Sequence, residues 1–220
     1  MNIKIPEVTL VAIDCTDRVP GTINALTICT RNIDFGRVKL LSHRQPDYLP
    51  DFIEYNKIPK INNIDEYNQF MFMDLGDYIS TSHCLTVQDH AYILHAELFD
   101  PSWLQYDWIG AGWKWMSDSY ICHATNEHVR NGNGGFSLRS KRLIDLPKKM
   151  GWQLRSEQGW ANEDGNCCVY YRPEMLANGI KYAPVEVAAR FAYENDIPEN
   201  SNINAFFGFH RNNPDSRKNR

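Results

Sequence analysis

Three short stretches hold most of the residues able to do chemistry. Glu163-Asp164 sets two carboxylates side by side at the start of a helical pattern. In a dry cleft one of them can take a proton from an attacking hydroxyl, the task of a general base. Acids in a first turn also favour the helix dipole, so a purely structural reason exists for the same pair. Gln88-Asp89-His90 follows an apolar run, and an acid beside an imidazole at a strand end suits a divalent ion or a diphosphate. Read locally, Asp89 could equally cap a turn. Asn131-Gly132-Asn133-Gly134-Gly135 runs into Phe136-Ser137-Leu138-Arg139-Ser140, which has helical spacing. Bare backbone before a helix start lets a sugar or phosphate reach main-chain N–H groups. Taken alone, such a run is more simply a tight turn.

Elements able to position these groups can be read from the patterning. Val8–Ile13 is nearly all apolar and rich in β-branched residues, which predicts a strand buried on both faces. A helix over 21–31 and a strand over 38–41 follow, completing a β-α-β unit and hence a mostly parallel sheet flanked by helices. Ligands of such sheets bind beyond the carboxyl ends of the strands, which places Asp14, Thr16 and Ser42-His43 at the mouth of a nucleotide-sized crevice. No GxGxxG follows the first strand and no GxxxxGK[ST] occurs, so neither a dinucleotide fingerprint nor a Walker loop is present.

Further along, 44–64 reads as loop, 64–79 as a helix weakened by Gly76, and 83–88 as a strand. The aromatic segment Pro101 to Trp113 fits a core or a sugar platform. A helix is expected over 137–150, with Arg139 outward and Pro147 ending or kinking it, and another over 167–176. Val185–Tyr193 alternates apolar and charged residues and predicts a strand.

With 220 residues and 43% hydrophobic content, the chain is expected to form one domain over 1–210, with 211–220 a frayed polar, basic tail. A formal charge of −4 supplies no general attraction to nucleic acid or an anionic membrane. Six cysteines show no CxxC pair, and several of them sit in apolar runs and read as small buried hydrophobes. No signal peptide or membrane span is apparent, so the default compartment is the cytosol.

The order of these motifs resembles the DUF5672 group of glycosyltransferase-like proteins. The segments that carry the resemblance are Thr81 to Gln88, Tyr106 to Trp113, Asn133 to Ser140, Glu163-Asp164 and Phe207-Gly208-Phe209-His210. That group is similar in motif order to GT-A-type nucleotide-sugar transferases, especially β-1,4-galactosyltransferases. The resemblance implies a single Rossmann-like α/β domain and a nucleotide-sugar donor, with UDP favoured. It also implies Asp89, His90 and His210 on Mn²⁺ or Mg²⁺, and Glu163 or Asp164 as base in an inverting displacement. Substrate would be bound by Asp14, Thr16, His43, Gln88, Trp113, Asn133, Gly134, Gly135 and Arg139. The group usually carries Gln-x-Asp-Gly after the strand, whereas this chain has Gln88-Asp89-His90-Ala91. Either the metal site persists with a histidine in it, or donor binding falls to Arg130, Arg139 and helix N-termini. A glycan, lipid-linked sugar, small molecule or protein is the expected acceptor, and a nucleic acid is a less natural one. The competing class is a nucleotide-sugar or carbohydrate-binding module that has kept this fold without catalysis.

Overall fold

The apolar run at Val8–Ile13 forms the inner half of β1 (Ile3–Ile13), and Leu10, Val11 and Ala12 are fully buried. The computed structural model describes residues 2–114, 120–122, 124–155 and 162–217. Around β1 assemble β2 (Ile33–Ser42), β3 (Glu54–Lys57), β4 (His83–Thr86), β5 (Trp108–Gly110) and β6 (Ser137–Ser140). The six strands lie in the order β3-β2-β1-β4-β6-β5. Pairing is parallel from β3 through β4, and β6 runs antiparallel to both of its neighbours. This is a mostly parallel α/β sheet, and β3 lies inside the 44–64 stretch expected to be loop.

Helices cover the sheet. In α1 (Val19–Cys29) a proline occupies the first turn, where its missing N–H costs nothing. Helix α2 (Ile64–Met73) is capped by Asn63, whose side chain accepts from the Glu66 N–H, while Glu66 accepts from the Asn63 amide at 3.1 Å. It ends sooner than expected, passing into a 3₁₀ turn at Leu75–Tyr78. A Cβ on Gly76 would strike the Asp145 side chain, so the bare glycine allows this turn to pack on α3 (Lys141–Met150).

Two expectations are overturned here. Ser137–Ser140 is a strand, not the start of a helix. The helix begins only at Lys141, where Ser140 Oγ accepts from the Leu143 N–H, and it runs through Pro147 to a left-handed Gly151. Val185–Phe191 forms a helix rather than a strand, α5, after the short α4 (Arg172–Ala177). The pattern was ambiguous there, because Val185, Ala188, Ala189 and Ala192 also satisfy helical spacing. After α5 come β7 (Ala192–Tyr193) and β8 (Gly208–Phe209), which pair in parallel.

Most of the aromatic segment belongs to the core, with Trp103 and Trp108 buried. All six cysteines are buried and free. Among the described residues no helix is long and apolar enough to cross a membrane.

Candidate active site

The reversed direction of β6 decides where the glycine stretch lies. Thr86, at the end of β4, is in register with Ser137, at the beginning of β6. Residues 133–135 therefore emerge at the same sheet edge as Gln88, the edge where ligands of parallel sheets bind. Side chains hold the stretch in place. Asn133 Oδ1 accepts from the N–H groups of Gly135 and Phe136, and Thr86 Oγ donates to Gly134 O at 3.1 Å.

The glycines serve close packing by the protein's own side chains. A Cβ on Gly134 would overlap Glu163 Oε1 and come within 3.0 Å of Arg139 Nη2, and one on Gly135 would overlap His210 Nε2. Neither glycine has positive φ. No helix start follows them, so the helix-dipole argument for anion binding does not apply.

The two acids of the pair are held differently. Glu163 accepts from Arg139 Nη2 at 2.7 Å, and both side chains are buried. Arg139 also donates to Ser137 Oγ and Gly134 O, and its guanidinium lies 4.2 Å over the Trp108 ring. At 1% exposure it is a buried tie beneath the site, not the outward cation expected. Arg130, the other expected donor-binding cation, forms a two-point pair with Glu199.

Asp164 lines the cleft. Its Oδ2 accepts from the Gly134 N–H at 3.0 Å and its Oδ1 from the Gly165 N–H at 2.7 Å. Burial, reinforced by the adjacent Glu163 charge, raises its carboxyl to about 7 against the stabilising pull of those N–H groups and Arg139. The residues just before the pair, 158–161, lie outside the described residues.

Asp164 shares a cleft of about 690 Å³ with Gln88, Trp113, Asn133, Gly134, Gly135, Glu163 and His210. Trp113 lies against Gly132, where a Cβ would strike its ring, and packs on Tyr120 at 4.5 Å between centroids. A neighbouring hollow of about 750 Å³ holds Asp14, Thr16, Asp89 and His90. The two share Ile64, Tyr67, Gln88 and Arg211 as walls and so form one groove along the sheet edge. His43 stands apart, lining a third cavity that meets the groove only at the Cys15-Thr16 turn.

Asp14 fixes that turn. It accepts from the Thr16 N–H and hydroxyl through Oδ1 and from the Thr22 hydroxyl through Oδ2. Asp89 and His90 are the central residues of a turn closed by the Ala91 N–H on Gln88 O, and the two side chains bond to each other at 2.6 Å. Burial lowers the His90 pKa, with the Asp89 bond opposing.

His210 lies 5.1 Å from His90 between ring centroids. Its Nδ1 faces Glu194 at 2.8 Å and its Nε2 faces Gln88 Oε1 at 3.3 Å. Asp89 turns its second oxygen toward Arg18 at 3.4 Å. Among the described residues no three His, Cys, Asp or Glu side chains are arranged to hold a metal ion. Asp89 and His90 pair with each other and His210 pairs with Glu194, so the three side chains are neighbours that are not gathered into one ligand set here.

Tyr67, Glu194, Arg18 and Arg211 are among the wall residues that the sequence does not single out. Arg211 has φ of 61°, a conformation uncommon outside glycine, and its N–H donates to His90 O. It opens the stretch expected to be a frayed tail, and within that stretch Asn212 donates to Glu194 O and Asp215 lies near His95. The sequence signal for Arg211 was its position directly after the Phe-Gly-Phe-His motif.

A family model described as a protein of unknown function (DUF5672) matches residues 52–210. No curated protein matches the sequence. The fold is similar to a crystal structure of the galactosyltransferase LgtC in complex with donor and acceptor sugar analogs. That likeness has a TM-score of 0.52 and 13% identity, covering 94% of this chain and 87% of that one. A glycosyltransferase involved in glycosylation of the major capsid of PBCV-1 gives a TM-score of 0.52 at 12% identity, covering 92% of this chain and 91% of that one. The α/β fold is thus one shared with GT-A glycosyltransferases.

Proposed function

The chain belongs to the DUF5672 family, and on that premise we propose that it is a glycosyltransferase using a nucleotide-sugar donor, with UDP favoured by the family resemblance. The observation that carries the proposal is Asp164. A carboxyl poised at about 7 in a cleft, against a close-packed backbone, has the protonation behaviour a general base requires.

In this reading the nucleotide lies along the Asp14-Thr16 turn and the transferred sugar lies over Gly134 and Gly135. An acceptor hydroxyl attacks the anomeric carbon as Asp164 takes its proton. The bond from that carbon to the diphosphate oxygen breaks, the nucleoside diphosphate leaves with the electron pair, and direct displacement inverts the anomeric centre. Arg18 and Arg211 line the groove and offer positive charge to the departing diphosphate. Glu163 acts as a structural partner to Arg139.

Product anomer analysis by NMR, with a panel of nucleotide sugars and hydroxyl acceptors, tests the reaction. Transfer with inversion supports it, and transfer with retention removes the direct displacement. A second reading, a nucleotide-sugar-binding module without catalysis, draws on the separate pairing of Asp89, His90 and His210. Binding of a nucleotide sugar without turnover across the acceptor classes would favour that module.

A further inference from the structure

We propose, resting on the transferase reading, that the Tyr67 hydroxyl is a catalytic group that donates a hydrogen bond to the diphosphate oxygen as it leaves the anomeric carbon. With the nucleotide beside Asp14 and the sugar over Gly134 and Gly135, the bond that breaks lies where the two hollows meet. Ile64, Tyr67, Gln88 and Arg211 line both. Ile64 is apolar, and the Gln88 amide is engaged at both ends, its Oε1 with His210 Nε2 at 3.3 Å and its Nε2 with Tyr67 Oη at 3.2 Å. Because Gln88 donates to that phenolic oxygen, the phenol's own proton is turned elsewhere, and no acceptor among the described residues meets it.

Helix α2 holds the ring at this junction. Tyr67 lies one turn in from the Asn63 cap, its N–H donating to Asn63 O, and the next residue, Asn68, is buried and accepts from the Glu163 N–H at 3.4 Å. One turn of helix thus ties the phenol to the acid pair. Burial, reinforced by the Glu163 charge and opposed by the Gln88 bond, pushes the phenol up to about 12, so it keeps the proton that a donor needs. A fixed, half-buried O–H dipole is most effective where negative charge develops. Arg18 and Arg211 are exposed, and solvent screens their pull on the same oxygen. In the step itself the acceptor's proton passes to Asp164 and the carbon–oxygen electron pair goes to the diphosphate. The phenol, far the weaker acid, keeps its proton and tightens its hydrogen bond.

The test compares the wild type with Tyr67→Phe, which removes one oxygen and keeps the ring. Steady-state transfer is measured with a panel of nucleotide sugars, and calorimetry with UDP, GDP, ADP and CDP beside the matching monophosphates. For the nucleoside diphosphate that binds, Tyr67→Phe should weaken affinity by about tenfold, the loss of one hydrogen bond to a charged oxygen. The matching monophosphate, which lacks that oxygen, should bind as it does to the wild type. At the same time kcat should fall by roughly 10²–10³, the usual effect of removing one donor to a developing oxyanion, while KM for the donor changes far less. Thermal unfolding checks that the variant folds. Two results overturn the role of Tyr67 and leave the transferase standing: wild-type kcat in Tyr67→Phe, or equal losses of monophosphate and diphosphate affinity, as a wall residue without this contact would give. A wild type that binds a nucleoside diphosphate and transfers no sugar to any acceptor removes the transferase reading first, and the catalytic role of Tyr67 with it.

Discussion

The Asp164 carboxylate and the Gly134 N–H are joined by a 3.0 Å hydrogen bond across 30 residues of sequence. The acid pair and the glycine stretch therefore form one unit. Asp164→Asn keeps the size of the side chain and removes its ability to accept a proton, while one of the two backbone N–H donors loses its acceptor. Turnover should fall by roughly 10²–10⁴, the usual contribution of a general base, while nucleotide affinity stays close to wild type. Steady-state kinetics beside calorimetry measures both.

The same carboxyl sets a pH dependence. With its pKa raised to about 7, kcat/KM should climb through neutrality and level off above it. Stability runs the other way. Between about 4 and 7 the folded state holds a proton that the unfolded chain releases, so this group's contribution falls as pH rises through that window. Asp164→Asn should flatten that part of the profile, measured as unfolding temperature from pH 4 to 8. An unchanged profile would remove burial of this charge as its source.

Glu163→Gln should act on stability first. It leaves the Arg139 guanidinium buried without its carboxylate, at a cost of about 3–5 kcal/mol where such pairs are broken. Chemical denaturation should report the loss. Activity lost at a temperature where the variant remains fully folded, with wild-type nucleotide affinity, would instead assign Glu163 a direct role.

Gly135→Ala forces a methyl group against the His210 ring. Overpacking of this kind costs roughly 1–3 kcal/mol. Adding His210→Ala should recover part of that loss, because the second change removes the obstacle. A double-mutant cycle measures the coupling, and strictly additive effects would show that the two residues do not compete for space.

A thermal-shift titration with UDP should give stabilisation that survives EDTA, since Asp89, His90 and His210 are paired with other side chains. At about 100 times its dissociation constant a ligand adds about 2.7 kcal/mol, ample for detection. A shift that vanishes in EDTA would show that these side chains turn to an ion when the nucleotide arrives.

Much of this arrangement was legible in the sequence because apolar runs and strand ends obey local rules. Val8–Ile13 announced a buried strand, and the crossover rule then set Asp14 and Thr16 just beyond its carboxyl end, where they line a hollow. What stayed hidden depended on partners distant in the chain. Ser137–Ser140 has helical spacing, yet its pairing with both β4 and β5 prevails over local preference. Arg139 looked like a surface cation because nothing nearby in sequence shows that Glu163 waits for it. Glu194 was obscured by the misread helix before it, and Arg211 by the polar tail that follows.

The antiparallel run of β6 also bears on how such a site could diversify. Gly134 and Gly135 enter a strand hydrogen-bonded on both sides, so a one-residue insertion between them and Ser137 would have to break the register with β4 or lift the glycines from Asp164. The segment at 43–64 bears no comparable constraint over most of its length, carrying only the short edge strand β3. Changes in the shape of the groove are thus more readily accommodated in the wall that residues 61–64 form, while the floor at Gly134 and Gly135 is inherited with the sheet.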